Sequence, residues 1–492
     1  MEHELIRFSL NGELHEVRGE PPTRTVLQYL RQSARLTGTK EGCAEGDCGA
    51  CTVVEAELGP DGRTVQYRAV NACIQFLPAL HGKALITVEG IGHGGDAPHP
   101  VQEAMVNLHG SQCGFCTPGF VMSMYAMHQA PRSEAVPDKA QIDLALSGNL
   151  CRCTGYRPIV DAAKSALAAP RDTAFEKRLR EQLQGLKPQS LVIDGPQGKW
   201  FSPRTEAELA QCLAAHPDAR IIAGTTDVGL WSTKQLRKLD KLVYLGAIPE
   251  LKKITQGKAG LEIGAGVTWT DAMPVLLEAY PPLRELLERF ASPPVRNAAT
   301  VGGNVANGSP IGDSMPAFIA LGAEVVLKSL KGTRVLTMDE FYIAYQKNAL
   351  LPGEYLAALR LPAVPANQTF RTYKLSKRFD QDISAVAVGI AIQIENGRIE
   401  QARIAYGGMS GIPQRARHAE VALIGSALAA PALETARAAL AQDFTPLTDM
   451  RASAEYRMLT AQNLLTRFFL EISVDPNGRK EAVRLADLEE AV

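Results

Sequence analysis

The chain opens on alternating apolar and polar residues that predict a β-hairpin. Residues 2–10 and 12–18 alternate on either side of Asn11-Gly12, a dipeptide that favours tight two-residue turns. The stretch TVLQYLR, which begins at Thr25, has the apolar spacing of a short amphipathic helix. A hairpin followed by a helix predicts a small domain that contains both a sheet and a helix.

Strands and further helices follow. A strand begins at residue 52, and Asp61-Gly62 turns the chain into another strand that ends near residue 73. Helical spacing marks FVMSMYAMHQ and IVDAAKSALA. Residues 170–190 are charged and lack a clear apolar face, which predicts a linker that is partly helical.

The composition is that of an ordinary globular protein. The chain has 492 residues, of which 46% are hydrophobic and 21% charged, and its net charge is −1. This length predicts about two to four domains, and the charge gives no basic field for nucleic acid. The start MEHELIRFSL is not a secretory signal, and no apolar window is long enough for a membrane span. We therefore expect a cytoplasmic protein that binds neither nucleic acid nor membrane.

Eight of the nine cysteines precede residue 154, and the first four have a spacing typical of a [2Fe–2S] cluster. This C-x4-C-x2-C…C pattern is formed by Cys43, Cys48, Cys51 and Cys73. The glycines of GCAEGDCGAC allow the loop to curl closely around a cluster. Zinc or free thiols are the alternatives, although the first gap is wide for zinc. Together with the neighbouring strands, this loop predicts a β-grasp domain of the ferredoxin type. The ninth cysteine, Cys212, lies in an apolar helical pattern and is predicted to be a buried core residue.

A second set of cysteines precedes two predicted helices. A C-x2-C pair and a C-x-C pair are formed by Cys113, Cys116, Cys151 and Cys153. Pro118 and Pro158 lie where the first helical turns would begin, a position that tolerates proline. The positive ends of the helices would favour thiolates and a negatively charged cluster. A zinc ion that joins two helices is the alternative.

Two glycine-rich stretches could wrap a pyrophosphate. They are RIIAGTTDVGL, from Arg220, and AATVGGNVANGSPIGD, from Ala298, and both offer small residues and backbone N–H groups. Each alone could be an ordinary turn, because short glycine-rich motifs are weak signals. Neither reads G-x-G-x-x-G or opens a clear βαβ unit, so a Rossmann site is disfavoured.

The phrases GCAEGDCGAC, QCGFCTPG and GNLCRCTGYRPI resemble the iron–sulfur portion of the molybdenum hydroxylases. That family includes xanthine dehydrogenase, aldehyde oxidase and carbon monoxide dehydrogenase. The resemblance implies that the first four cysteines bind one [2Fe–2S] cluster. It implies that the second four bind another, in a helical domain near the molybdenum centre. The glycine-rich stretches resemble the family's FAD domain, which is of the vanillyl-alcohol-oxidase type.

The same resemblance implies a set of FAD contacts. The loops that would face the diphosphate contain Ile222, Ala223, Gly224, Thr225, Thr226, Asp227, Thr300, Gly302, Gly303, Asn304, Ser309 and Asp313. Phe290, Leu356 and Lys374 match further positions near the flavin. Leu356 could instead be plain core, and Lys374 a solvated surface charge. Tyr345 and Asp380 are candidates near the nicotinamide entrance.

The predicted architecture is an α+β multidomain chain. Its parts are a β-grasp 2Fe-2S domain (1–88), a helical-bundle 2Fe-2S domain (89–169), a linker (170–190), an FAD-binding domain (191–365) and an α+β C-terminal domain (366–492) in which strands flank Asn396-Gly397 and alanine-rich helices follow.

The resemblance implies an electron-transfer function. Electrons from hypoxanthine or xanthine, oxidised to urate at a molybdenum cofactor on a large partner subunit, would pass through two 2Fe-2S clusters to FAD and then NAD⁺. No residue of this chain would be catalytic or contact the purine. Because the sequence ends with the flavin portion, we expect a heterodimer, or a dimer of heterodimers. Carbon monoxide dehydrogenases separate iron–sulfur from flavin, so the fusion favours xanthine dehydrogenase. The alternatives are an aldehyde or N-heterocycle hydroxylase with the same relay and a stand-alone electron carrier.

Overall fold

A computed structural model describes residues 4–92, 98–130, 136–171 and 173–473. The chain forms two compact units. The first comprises Met1–Leu251, Thr268–Thr270 and Ala291–Thr300, and the second comprises Lys252–Val267, Asp271–Phe290 and Val301–Val492. Within these described ranges, no helix has the length and apolar character needed to cross a membrane.

The first unit begins with a five-stranded mixed sheet. Its elements are β1 Ile6–Leu10, β2 Glu13–Val17, α1 Val26–Gln28, β3 Thr52–Leu58, β4 Val65–Asn71 and β5 Ala84–Ile86. The strand order is β2-β1-β5-β3-β4, and β1 and β5 are parallel. Asn11 and Gly12 have φ values of 52° and 91°, which confirms the predicted hairpin turn, although residues 2 and 3 of the predicted strand lie outside the described residues. Thr25 caps α1, and a π-helical turn over Tyr29–Ser33 continues it, so the predicted helix is also confirmed.

Five helices follow in the first unit. They are α2 Pro100–Asn107, α3 Thr117–Gln129, α4 Lys139–Leu146, α5 Arg157–Leu167 and α6 Thr173–Leu186. Helices α3 and α5 confirm the two helices predicted behind the cysteine pairs. Each has a proline in its first turn, where a missing N–H costs nothing because no carbonyl precedes it within the helix.

A second sheet of the first unit has a parallel core. Its elements are β6 Leu191–Gly195, β7 Gly198–Ser202, α7 Glu206–Ala215, β8 Arg220–Ile222, α8 Val228–Thr233 and β9 Lys241–Tyr244. The strand order is β6-β7-β9-β8, and β9 pairs in parallel with both β7 and β8. The first glycine-rich stretch therefore joins β8 to α8 within a βαβ unit, and the prediction that it opens none is wrong. The strand is only three residues long, too short for its pattern to reveal the unit.

Two predictions about burial are also wrong. Phe175, Leu179 and Leu183 form a buried apolar face on α6, although residues 170–190 were predicted to lack one. Four-residue spacing places these side chains on one side of the helix while charged residues cover the other. Cys212 on α7 is half-buried rather than a core residue.

The middle of the chain contributes most of the remaining helices and a five-stranded antiparallel sheet. The elements are β10 Ile254–Gly257, β11 Gly260–Gly264, α9 Trp269–Ala279, α10 Arg284–Glu288, α11 Pro293–Arg296, α12 Val301–Asn307, α13 Ser314–Leu321, β12 Glu324–Ser329, β13 Gly332–Thr337, α14 Met338–Phe341, β14 Tyr342–Ala344, β15 Lys347–Asn348 and β16 Tyr355–Pro362. The sheet order is β10-β11-β16-β12-β13, and β14 and β15 form a separate hairpin.

The second unit ends, as far as residue 473, in an antiparallel sheet followed by helices. Its elements are β17 Gln368–Leu375, β18 Val386–Glu395, β19 Arg398–Gly407, β20 Gln414–Arg415, α15 Arg417–Leu423, α16 Ala430–Asp443 and α17 Ala454–Ile472. Asn396 and Gly397 have positive φ (52° and 75°), as the predicted hairpin requires. The buried Arg457 of α17 donates to the carbonyls of Ala385 and Gly408, which ties the helix to the sheet. The predicted α+β multidomain fold is confirmed.

Candidate iron–sulfur and flavin sites

The first four cysteine thiols lie in contact with one another within the first unit. Cys43 hydrogen-bonds with the thiols of Cys48 and Cys73, and Cys73 also bonds with Cys51. The Cys43 sulfur accepts backbone N–H groups of Glu45 and Cys48, both at 3.4 Å. The loop 43–51 and the end of β4 thus bring together all four residues that the sequence predicted as one ligand set.

Hydrogen bonds among these thiols lower the pKa of one of them and raise the pKa of others. Thiol bonds from Cys48 and Cys73, followed by two backbone N–H groups, lower the pKa of Cys43 far below that of a free thiol, despite partial burial. The bond with Cys43 is the main reason why the pKa values of Cys48 and Cys73 are raised. These hydrogen bonds therefore favour the thiolate form of Cys43, and the thiolate is the form that binds metal.

Backbone geometry brings this loop close to its own sulfurs. Gly46 and Gly49 have φ values of 79° and 71°, in the region that favours glycine. A Cβ atom at Gly42 would lie 2.7 Å from the Cys48 sulfur, so only glycine fits there without displacement. Asn71 at the end of β4 donates to the Gly46 carbonyl at 2.9 Å, which holds the curl in place.

The second four cysteines also meet, as two linked pairs. Cys113 hydrogen-bonds with Cys153, and Cys116 with Cys151. Cys116 is the N-cap residue of α3, and Cys151 and Cys153 shortly precede α5. Cys113 and Cys153 are exposed. The two helix N-termini therefore present the predicted pairs to each other.

The surroundings of the second four cysteines shift the pKa values of Cys116 and Cys151 in opposite directions. Burial, and then the bond to Cys151, raises the pKa of Cys116 to about 12. Burial pushes the pKa of Cys151 upward, but hydrogen bonding with Thr154, whose hydroxyl lies 3.3 Å from the sulfur, brings it below the ordinary value. In the Cys116–Cys151 pair, these shifts favour the thiolate form of Cys151.

Each quartet has the donor set of a [2Fe–2S] centre, which is four cysteine sulfurs. Across residues 4–92, 98–130, 136–171 and 173–473, no group of three or more Cys, His, Asp or Glu side chains is placed to hold a metal ion. In a [2Fe–2S] centre, the four cysteines are divided between two irons. Thiols that meet in linked pairs, with glycines admitting close backbone approach, match that division.

The first glycine-rich loop leaves β8 at Ile222, continues through Ala223, Thr226 and Asp227, and enters α8 at Val228. Thr225 has φ of 56° and its hydroxyl donates to the Gly224 carbonyl at 2.8 Å. A side chain at Gly224 would collide with the carbonyl of Ala298. The loop is therefore tightly bent and lies against the segment that starts the second glycine-rich stretch.

Helix α8 connects this loop to the first cysteine set. A Cβ atom at Gly229 would lie 2.9 Å from the Ile74 side chain, next to Cys73. At the other end of α8, the Thr233 hydroxyl donates to the Ala44 carbonyl at 3.0 Å. Because both contacts fall beside predicted metal ligands, α8 fixes the first glycine-rich loop relative to the first quartet.

The second glycine-rich stretch contains the short helix α12, although the sequence predicted a loop. Gly302, Gly303 and Asn304 lie on α12, whereas the predicted contacts Thr300, Ser309 and Asp313 lie outside it. Gly302 packs against Ala265 so closely that its Cβ atom would lie 2.7 Å from the Ala265 carbonyl oxygen. The glycine thus serves close packing of the helix, a tertiary effect that composition alone does not reveal.

Asp313 and Lys374 form a buried ion pair in the second unit. Their side chains are 7% and 2% exposed. Asp313 also accepts a hydrogen bond from the Ser384 hydroxyl, at 2.5 Å, and Lys374 donates to the Asp382 carbonyl at 2.8 Å. The alternative of a solvated surface charge at Lys374 is therefore wrong, and Ser384 is a partner that the sequence analysis missed.

The remaining predicted contacts lie in different environments. Leu356 is buried in β16 and pairs in register with Leu327 of β12, as the core alternative requires. Phe290 is half-buried directly after α10. Tyr345 and Asp380 are exposed.

Four family models match the chain. By their descriptions they are a 2Fe-2S iron-sulfur cluster binding domain (residues 8–77), a [2Fe-2S] binding domain (87–164), an FAD binding domain in molybdopterin dehydrogenase (195–364) and a CO dehydrogenase flavoprotein C-terminal domain (371–472). Both cysteine sets and both glycine-rich stretches fall inside these matches.

Curated proteins and solved structures that are similar to this chain agree with these family matches. Xanthine dehydrogenase of Emericella nidulans is 33% identical over 99% of this chain and 40% of the relative. The chain thus spans well under half the length of the curated relatives it matches. Among solved structures, CO dehydrogenase from Oligotropha carboxidovorans aligns with a TM-score of 0.52 and 29% identity, over 56% of this chain and 96% of that one. Quinoline 2-oxidoreductase from Pseudomonas putida 86 aligns with a TM-score of 0.51 and 27% identity, over 56% and 97%.

The matched domains, in the order in which they occur, contain both cysteine quartets and the tightly bent glycine-rich loop, and we conclude that the chain belongs to the molybdenum hydroxylase family, of which it carries the iron–sulfur and flavin domains.

Proposed function

We propose that this chain is the electron-transfer subunit of an NAD⁺-dependent xanthine dehydrogenase whose molybdenum cofactor is held by a larger partner subunit in the cytoplasm. The observation that carries the proposal is the meeting of two cysteine quartets in a chain that also has the family's flavin domains. When bound, iron–sulfur clusters exchange single electrons, and flavin links one-electron donors to hydride acceptors.

The cysteines would act as ligands. Cys43, Cys48, Cys51 and Cys73 would hold one cluster, and Cys113, Cys116, Cys151 and Cys153 the other. The N–H groups of Glu45 and Cys48 would remain as donors to the Cys43 sulfur. Such bonds stabilise negative charge on sulfur and are among the features that set a cluster's potential. The positive N-terminal ends of α3 and α5 would likewise stabilise negative charge on the sulfurs of the second quartet.

The flavin residues would act mainly through the backbone. The bent loop at 222–227 offers N–H groups without obstructing side chains, a property that suits a diphosphate. Thr300, Gly302, Gly303 and Asn304 would supply the further contacts that the resemblance implies, although the Gly302 N–H already donates to the Ala265 carbonyl at 3.2 Å. Within the second unit, the Asp313–Lys374 pair would fix the position of the Lys374 ammonium group, because both side chains are buried.

The substrate would be hypoxanthine or xanthine, with urate as the product. The 33% identity to a xanthine dehydrogenase supports this assignment. A second candidate is an N-heterocycle hydroxylase with the same relay, which the similarity to quinoline 2-oxidoreductase favours. In either case, the partner's pocket would select the substrate, and no side chain of this chain would contact it.

The test is to co-express the chain with a candidate molybdenum subunit and to assay the purified complex. We expect about four irons and one flavin per chain, and NADH formation when xanthine is added. Activity with quinoline-type heterocycles but not with xanthine would select the second candidate. A chain that elutes alone with iron and flavin, with no partner and no substrate-dependent NADH, would overturn the proposal and leave a stand-alone carrier.

A further inference from the structure

We propose that Asn149 is a positioning residue that sets the separation and orientation of the two cysteine quartets. The inference rests on the proposed function, because it concerns electron exchange between two metal centres. Asn149 itself touches no predicted ligand sulfur and belongs to neither quartet.

The Asn149 side chain lies where three ligand-bearing segments converge. Its Nδ2 atom donates to the Gly49 carbonyl at 3.1 Å and to the Thr52 hydroxyl at 3.2 Å. Its Oδ1 atom accepts from the Ser123 hydroxyl of α3 at 2.6 Å. The segment 49–52 contains Cys51, α3 follows Cys116, and Asn149 itself is two residues before Cys151. One amide therefore connects both quartets.

The burial of the Asn149 side chain means that its three hydrogen bonds cannot be exchanged for bonds to water. Asn149 is only 3% exposed, so water cannot replace a lost partner, and an unsatisfied buried polar group is costly. Both amide hydrogens are used, which defines the side-chain orientation. Only a narrow range of side-chain positions satisfies all three partners at once. The amide therefore fixes the distances between the segments that carry these partners.

Close backbone packing around Asn149 leaves little room for adjustment. A Cβ atom at Gly49 would lie 2.8 Å from the Asn149 Cα atom, and one at Gly119 would lie 3.1 Å from its Nδ2 atom. The adjacent Leu150 N–H donates to the Cys48 carbonyl at 3.0 Å. The junction thus combines glycine contacts with directional bonds, and loss of the amide would let the two ligand loops shift relative to each other.

Asn71 offers a matched control from the same region. It is also 3% exposed; its Nδ2 atom donates to the Gly46 carbonyl of the first ligand loop at 2.9 Å, and its Oδ1 atom accepts from the Cys51 thiol at 3.9 Å. Asn71 lies at the end of β4, within the domain of the first quartet. Replacing either asparagine by leucine removes a buried amide of similar size, but only Asn149→Leu acts on the junction.

The experiment compares Asn149→Leu and Asn71→Leu in the anaerobically purified holoprotein. Iron content and melting temperature are measured first, followed by electron paramagnetic resonance of the fully reduced protein, in which magnetic coupling between the centres reports their separation. We expect Asn149→Leu to change this coupling, with iron content unchanged. Asn71→Leu should change the signal of the first centre alone. Both variants should melt at lower temperature, so stability does not distinguish them.

Unchanged coupling in an iron-replete Asn149→Leu variant would overturn the inference. If that variant does not fold, Ser123→Ala removes one of the three bonds, and unchanged coupling there would overturn it equally. A wild-type protein that lacks two distinct cluster signals would instead refute the proposed function, so the two failures are distinguishable.

Discussion

The ion pair of Asp313 and Lys374 allows a quantitative test of the C-terminal part of the second unit. Lys374→Met keeps the length of the side chain but removes its charge. The Asp313 carboxylate, 7% exposed, would then keep only the Ser384 hydroxyl as a described partner. The variant therefore leaves a buried charge without its counter-ion.

The expected cost follows from this burial. Removing one partner of a buried pair destabilises a protein by about 3–5 kcal/mol, which corresponds to roughly two to three and a half orders of magnitude in a local opening equilibrium. Replacing both partners by apolar residues is often close to neutral. We therefore expect Lys374→Met/Asp313→Leu to recover most of the loss to within about 1–2 kcal/mol.

Hydrogen exchange measured by mass spectrometry on peptides from β17 and β18 reports this local opening. Lys377→Met, three residues away at an exposed position, serves as the control and should leave exchange unchanged. A loss below about 1 kcal/mol in Lys374→Met would refute the reasoning, as would a double variant no more protected than the single one. Flavin content of the double variant then tests the predicted FAD contacts of Lys374 and Asp313 together, separately from the role of the pair in folding.

Three further outcomes are expected. Thr233→Val removes the donor to the Ala44 carbonyl and should speed loss of iron from the first quartet to a chelator by about two- to tenfold, followed by bleaching of visible absorbance; an unchanged rate would contradict the role given to α8. Burial acts to raise the pKa of Asp449, but backbone N–H groups and Arg457 lower it to about 2 from a usual 3.8. Its stabilisation should be complete above pH 3.8 and be lost as the pH falls through about 2, so Asp449→Asn should flatten the acid limb of the melting temperature. Cys113→Ala, which leaves no donor atom, should reduce iron by about half, and full iron content would exclude Cys113 as a ligand.

Local chemistry explains which parts of the fold were predictable. Asn11-Gly12 and Asn396-Gly397 adopt positive φ, a conformation that few other residue pairs favour, so their hairpins are evident from sequence. Cysteine pairs followed by a proline identified the starts of α3 and α5 because the first turn of a helix tolerates proline. These signals depend on only a few neighbouring residues.

Tertiary contacts explain what the sequence analysis missed. The buried face of α6 is three residues among many charged ones, and only the surface it packs against reveals it. The glycines of α12 suggested a loop, whereas Gly302 is needed for close packing on Ala265. The burial of Lys374 depends on Asp313, which is 61 residues away in the sequence. The phrase GNLCRCTGYRP contained Asn149, but no local pattern indicates its partners. The individual FAD contacts and the domain edges stay predictions.

The unequal solvent access of the two quartets has a consequence for which thiols an oxidant reaches first. Cys51 and Cys73 are buried, whereas Cys113 and Cys153 are exposed. Cys43, Cys48, Cys116 and Cys151 are half-buried in both sets, so the difference lies in one pair of each quartet. In this chain taken alone, an oxidant in solution would therefore meet Cys113 and Cys153 before any sulfur of the first quartet.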